Sequence, residues 1–441
     1  MDNSRLARFR TAVVGCFGRA RGALSDLCDA LATDGEAQSL PELSESPFFR
    51  RKWHSIYKAL SRGRIDRRAL QQAFAEAAPR PNHGERLVLA VDVRPMVRRQ
   101  ARTSADRTFV HVPNMPEGAP PVLPGYQFSE VVVLPNPVSS AVHVLDNQRI
   151  PSTETAARVG AAQLRVVLPL LQPERPILLG DGGYGNVPWL AATADLAVDQ
   201  LLRIARNSVF YRPAPPRTGK RGAPRKDGEV FKCTKADTQG TPDDTWTGTD
   251  DRGLQVSVAV WGHLHFRARR ETPLTVVRRA TVDPAKPTAP PQTLWCIWVG
   301  ATLPPLDQLA LIYLRRFAIE HGFRFDKQDL LWTTTRLRTP EEVQRWTDIV
   351  SSVHISWVSL AARPAACGVL GSPVAGRQRS ARCAAPSVVF MQTLPHRFPR
   401  PNPADIPRVA PLAPIQHPPH ATSLSVNQQS GPRNTGLPPD S

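Results

Sequence analysis

Three carboxylates stand apart from ordinary surface acids. Asp92 closes the apolar run RLVLAVD, Asp181 closes PILLGD, and Glu320 lies in YLRRFAIEHGFRFDK among arginines and a lysine. Carboxylates distant in sequence but brought to one point are what phosphodiester chemistry with two divalent ions requires. Ions about 3.5–4 Å apart activate the nucleophile and stabilise the leaving oxygen. Oxygen donors select hard cations, so the expected cofactor is Mg2+ or Mn2+, two ions. The cysteines at 16, 28, 233, 296, 367 and 383 form no C-x-x-C pair, which argues against structural zinc and a disulfide framework and leaves reduced thiols. Singly, a strand-terminal aspartate is more often a turn former or helix cap. The combination carries the argument.

If the segment around Glu320 is helical, 100° per residue puts Tyr313, Arg316, Glu320 and Lys327 at about 0°, −60°, −20° and −40°, one narrow face. The apolar Leu314, Phe317 and Ile319 point elsewhere, so this face is suited to a charged ligand. Charge over the whole chain agrees. Among 441 residues, 56 Lys and Arg against 38 Asp and Glu give a net +18, which favours a polyanion, nucleic acid first. No apolar run approaches the roughly 18 residues of a membrane span, and the amino terminus lacks a secretory signal. The expected location is cytoplasmic, at the nucleoid, with no membrane partner.

The elements that must position these acids follow from periodicity. Residues 1–78 read as a small basic helical domain, in which Arg50, Arg51 and Lys52 flank Trp53 near Tyr57, a pattern suited to gripping DNA phosphates. A solvated basic helix face is the plainer alternative. From 85 to 211, RLVLAVDVRPM, YQFSEVVVLP and SSAVHVLD read as strands. A helix over 153–171, the strand PILLGD, a helix near 188–197 and the strand LLRIARNSVFY follow, making a mixed α/β sheet. Strands one and four, if parallel, would set Asp92 beside Asp181 at their carboxyl edge. Residues 212–300 read as a β-rich insertion opened by a basic loop with Lys220, Arg221, Arg225 and Lys226. Residues 301–362 return to the core with the glutamate helix, 304–327, and one further helix. Residues 363–441, proline-rich and aperiodic, are expected to be disordered.

The spacing of Tyr313, Arg316, Glu320 and Lys327 matches the Y-x2-R-x3-E-x6-K signature, and the chain resembles the DDE transposases of bacterial insertion sequences over about residues 45–350. The segments around Asp92 and LLGDGGYG resemble that family's two aspartate motifs. The resemblance implies an RNase H-like catalytic domain with a β-rich insertion before the glutamate. It implies metal ligation and catalysis by Asp92, Asp181 and Glu320, phosphate contacts from Arg316 and Lys327, and a transposon-end contact from Tyr313. The implied reaction is cleavage at element ends followed by strand transfer into target DNA, by a homodimer on DNA. In relatives with this signature a hairpinned end can intervene, and a tryptophan of the insertion can receive a flipped base. Trp261, Trp295 and Trp298 are the candidates, with a core role the plainer reading. The tail departs from the family, and its composition is what a shifted reading frame in GC-rich DNA would produce. A silent or domesticated transposase that only binds DNA, and a host nuclease of the same fold, are the alternatives. His263 and His265, alternating on a strand, are expected at the surface, and the glycines of DGGYG as a simple turn.

Overall fold

The computed structural model divides the chain into Met1–Gln392 and Thr393–Ser441. It describes residues 3–361 apart from 82–83, 113–120, 135–140, 172–174, 217–222, 251 and 287. The expected disordered tail therefore lies outside the described residues, as do Lys220 and Arg221.

Valine, leucine and isoleucine runs build the centre. Strand β1 (Val88–Val97) pairs antiparallel with β3 (Val122–Val133), and β3 pairs on its other edge with β2 (Thr108–His111) and β4 (His143–Ile150). On its opposite edge β1 pairs parallel with β5 (Ile177–Gly180), which pairs parallel with β6 (Asp199–Arg203). The parallel crossover runs through α6 (Ala156–Val167), started by the Thr155 side chain accepting from the Arg158 amide. The next runs through α7 (Val187–Ala192), capped in the same way by Asn186. The order β4-β3-β1-β5-β6, three antiparallel strands then two parallel, is that of an RNase H-like sheet.

The predicted fifth strand divides. A turn at Ala205–Ser208 sends β7 (Val209–Tyr211) away from β6 to pair with β10 (Gln255–Phe266) and β8 (Val230–Lys232). With β9 (Asp244–Thr249), β11 (Arg269–Val282) and β12 (Gln292–Val299), these strands form the β-rich insertion. They do not make a separate sheet. β12 pairs antiparallel with β6, so insertion and core share one sheet of twelve strands among the described residues.

Period-two alternation sorts the side chains onto two faces. Val88 and Ala90 of β1, Ile177 and Leu179 of β5, and Leu201 of β6 enter one apolar cluster; Leu89, Val91, Leu178 and Leu202 enter another. The second cluster lies under α6 and α7. The first is covered by the amino-terminal helices α1 (Asn3–Gly15), α2 (Arg21–Thr33), α3 (Leu40–Leu43), α4 (His54–Arg62) and α5 (Arg67–Ala77), and by α8 (Leu306–Ile312), α9 (Ala318–Gln328) and α10 (Pro340–Ala361). Arg67 of α5 reaches Asp146 of β4 and Asp348 of α10, at 2.8 and 3.3 Å. Arg345 of α10 donates to the carbonyls of Leu60 and Ser61, at the end of α4.

The glutamate helix departs from expectation. A 3-10 turn, Tyr313–Phe317, separates α8 from α9, and Gly322 does not interrupt α9. A Cβ on Gly322 would come within 2.6 Å of the Val142 side chain, so the glycine permits close packing of this helix on the sheet layer.

Candidate active site

Asp92 lies inside β1, not at its end as expected. The expected neighbourhood still holds, because parallel pairing with β5 stops at Val91 and Gly180. The next positions on the two strands are Asp92 and Asp181. Both continue the alternation of the face that carries α8–α10. Asp181 opens the turn into α7, its carboxylate accepting from the Gly183 amide at 2.9 Å. The turn needs glycine at 185, where a Cβ would meet the Arg203 carbonyl oxygen at 2.2 Å. The DGGYG glycines thus shape a turn, as expected.

Arg316 joins the acids. In a 3-10 turn, side chains three apart eclipse, so Tyr313 and Arg316 point the same way, into the site. The Arg316 guanidinium donates to Asp92 at 2.8 Å and lies 3.6 Å from Glu320. Burial opposes its charge, but Asp92, Tyr313, Asp181 and Glu320 together raise its pKa. Asp92, with 14% of its side chain exposed, is pushed up to about 6, by burial first and Asp181 second, against Arg316 and the Val93 amide. Glu320 is 56% exposed on the open side of Arg316.

The three acids therefore gather around one arginine. Among the described residues, no three His, Cys, Asp or Glu side chains are grouped so as to hold a metal ion. The physical reason is charge: two neighbouring carboxylates on a covered sheet edge need a cation, and Arg316 supplies one. The donor chemistry, oxygen only, does fit a hard divalent ion.

The other predicted contacts divide. Tyr313, expected at the DNA, is 4% exposed; its hydroxyl points at the Gly180 carbonyl oxygen, 3.5 Å away, and its ring packs in the core beneath the aspartates. Lys327 is half-buried, and burial followed by Arg94 lowers its pKa. Arg50 and Arg51 are exposed but share the buried Asp26, at 2.6 and 3.1 Å; Lys52 is exposed beside them. Arg225 and Lys226 are exposed next to Asp227, which holds Arg270 and the buried His265. His263 is exposed as expected and His265 is not. Trp261, Trp295 and Trp298 are all core residues, buried where the insertion joins the main sheet. That burial leaves them closed to a flipped base.

Sequence reasoning missed a second constellation. Asp326, on α9, accepts from Arg94 of β1 at 2.5 Å and from His354 of α10 at 2.6 Å, while Arg94 lies 3.5 Å from Glu130 of β3. All four are buried. His354 also faces the Val142 carbonyl oxygen at 3.1 Å, and two acceptors on its two nitrogens require the imidazolium. Its pKa is raised, since Asp326 and Glu130 outweigh burial, and that of Asp326 is lowered by His354 and Arg94 against burial. Burial, with Asp326 and Asp92 nearby, lifts Glu130 to about 7. The Arg94 guanidinium stacks over Trp332, 3.9 Å from the ring centroid. This network pins the Glu320 helix to β1, two residues from Asp92. The available signal was Arg94 itself, a cation on the same face as Asp92 within a buried strand. Tyr184, with its buried ring edge-on to Trp189, was also missed; burial and then Asp92 and Asp181 raise its pKa.

The sheet has the RNase H-like order, with Asp92 and Asp181 side by side where the β1–β5 pairing stops and Glu320 on the covering helix. The chain matches the family model of the DDE superfamily endonucleases over residues 12–260, more than half its length, and belongs to that family. The match includes Asp92 and Asp181 and ends before Glu320. Among solved structures it is similar to the piggyBac transposase synaptic complex with hairpin DNA, at 10% identity and a TM-score of 0.39. That comparison covers 82% of this chain and 66% of the other. No protein of curated function matches the chain. Among the described residues no helix is long and apolar enough to cross a membrane.

Proposed function

We propose that the chain is a transposase that cleaves DNA at the ends of an insertion sequence and joins the freed end to target DNA, acting as a homodimer at the nucleoid. The observation that supports it best is the register that makes Asp92 and Asp181 neighbours, with Arg316 reaching from Asp92 to Glu320. Asp92, Asp181 and Glu320 are the residues that would hold one or two Mg2+ or Mn2+ ions, whose chemistry is activation of the attacking hydroxyl and stabilisation of the leaving oxygen. Arg316 keeps Asp92 ionised and orients it. Glu320, 56% exposed with Arg316 at 3.6 Å, has room to change rotamer. Lys327, Lys220, Arg221, Arg225, Lys226, Arg50, Arg51 and Lys52 are the proposed phosphate contacts, positioning DNA without reading its sequence.

The arginine at the heart of the acid group favours one second reading, a DNA-binding relative without catalysis. Glu320→Gln decides between them. Cleavage of an end-bearing duplex in Mg2+ should be abolished while DNA binding is retained. A wild-type protein that binds ends and never cuts them would establish the silent reading, and one that cuts without joining would be a nuclease of the same fold.

A further inference from the structure

Two large aromatic side chains stand in the open among cations at the start of α4. Trp53 is 60% exposed and Tyr57 37%, their rings edge to face with centroids 6.0 Å apart. Four residues apart, Trp53 at the N-cap and Tyr57 in α4 lie on one side of the helix, about 90° round from the mean direction of the buried Ile56, Ala59 and Leu60. Lys52 just before Trp53 and Lys58 just after Tyr57 are exposed, and Asp26 holds the exposed Arg50 and Arg51 a few residues upstream. Structural need does not explain the two rings, since the α4 core contacts are made by other residues.

The surrounding charge selects a polyanion, and the rings select its flat, apolar parts. An intact duplex offers phosphates but keeps its base faces stacked against one another. Unpaired bases offer both, and aromatic stacking on them is tolerant of sequence. We propose that Trp53 and Tyr57 form a stacking platform for unpaired bases of DNA, with Lys52 and Lys58 on the adjoining phosphates. The proposal deepens the DNA reading above and rests on it, because strand cleavage creates ends whose bases can leave the stack.

The test uses the full chain and fluorescence anisotropy with three labelled DNAs: a blunt duplex, the duplex with a single-stranded thymine tail, and the duplex with an abasic tail of equal length and charge. The thymine tail should bind at least about fivefold more tightly than the abasic tail, the gain of one stacked base. Trp53→Ala and Tyr57→Ala should each erase that preference and leave the blunt duplex bound within about twofold, whereas Trp53→Phe should keep most of it. Equal binding of the two tails by the wild type, or a preference unchanged in a folded Trp53→Ala protein, overturns the platform while leaving the DNA reading intact. Failure to bind any of the three DNAs overturns the DNA reading and the platform with it. Because both rings are exposed, circular dichroism and thermal midpoints of the alanine variants should match the wild type.

Discussion

Replacing Asp326 by asparagine removes one charge from a buried cluster in which Arg94 and His354 are positive, Asp326 is negative, and Glu130, lifted to about 7, turns negative as pH rises through that value. The variant leaves two cations facing one acid in a covered site. Breaking a buried pair on one side costs about 3–5 kcal/mol, because the remaining charge stays desolvated. Unfolding entropy of about 2.1 cal/mol/K per residue over roughly 360 residues gives about 0.75 kcal/mol/K. The midpoint should therefore fall by about 4–7 °C. Pairing Asp326→Asn with Arg94→Met removes one charge of each sign, so the double variant should lose clearly less than the sum of the singles. The pH dependence has a definite sign. His354, with a raised pKa, contributes stability that is fully present below about 6.5 and is lost as pH rises through its folded value. Asp326→Asn should weaken that dependence and leave the part that Glu130, raised to about 7, contributes. Thermal melts of the four proteins across pH are the assay. A single-variant loss under about 1 kcal/mol, or additive double-variant losses, would refute the view that these residues form one electrostatic unit holding the Glu320 helix.

Three further outcomes are expected. Asp92→Asn should stabilise the ion-free protein at pH 8 by up to about 3 kcal/mol, since Asp92 rises from an ordinary 3.8 to about 6. A raised acid costs stability only where it is ionised in the fold, so the gain should fade as pH falls from 6 and vanish by pH 4; melts at both ends check this. Mn2+ or Mg2+ at a hundredfold excess over its Kd should stabilise the wild type by about 2.7 kcal/mol, and neither Asp92→Asn nor Asp181→Asn should respond; calorimetry measures it directly. Gly185→Ala should cost about 1–3 kcal/mol through collision with the Arg203 carbonyl and should weaken the ion response of Asp181, a pairing of effects that urea melts with and without ion would reveal.

What was legible in the sequence was the part written in local pattern. Runs such as VLAVDV and ILLG declare buried strands, and their order with α6 and α7 is enough to set Asp92 beside Asp181. Long-range pairing was not legible. Nothing in TLWCIWV says that this strand attaches to β6 and carries the insertion into the core sheet, or that its tryptophans are buried there. The helical wheel put four residues of 313–327 on one face, but a 3-10 turn tightens the spacing, so Tyr313 turns inward with Arg316. Asp326 escaped attention because its partners, Arg94 and His354, lie far away in sequence on either side. An acid's role there depends on tertiary neighbours that spacing does not encode.

One helix receives both ends of the machinery. On α10, Arg345 holds the last carbonyls of α4, and His354, nine residues or about 14 Å further on, holds Asp326 beneath the Glu320 helix. α4 also bears the exposed aromatic pair. Any displacement of α10 that a ligand on α4 favours must be felt at α9, and thermodynamic linkage makes the influence mutual. If α4 grips DNA and the acids hold an ion as proposed, whatever factor the ion changes in that grip, DNA on α4 must change by the same factor in the affinity of the acids for the ion.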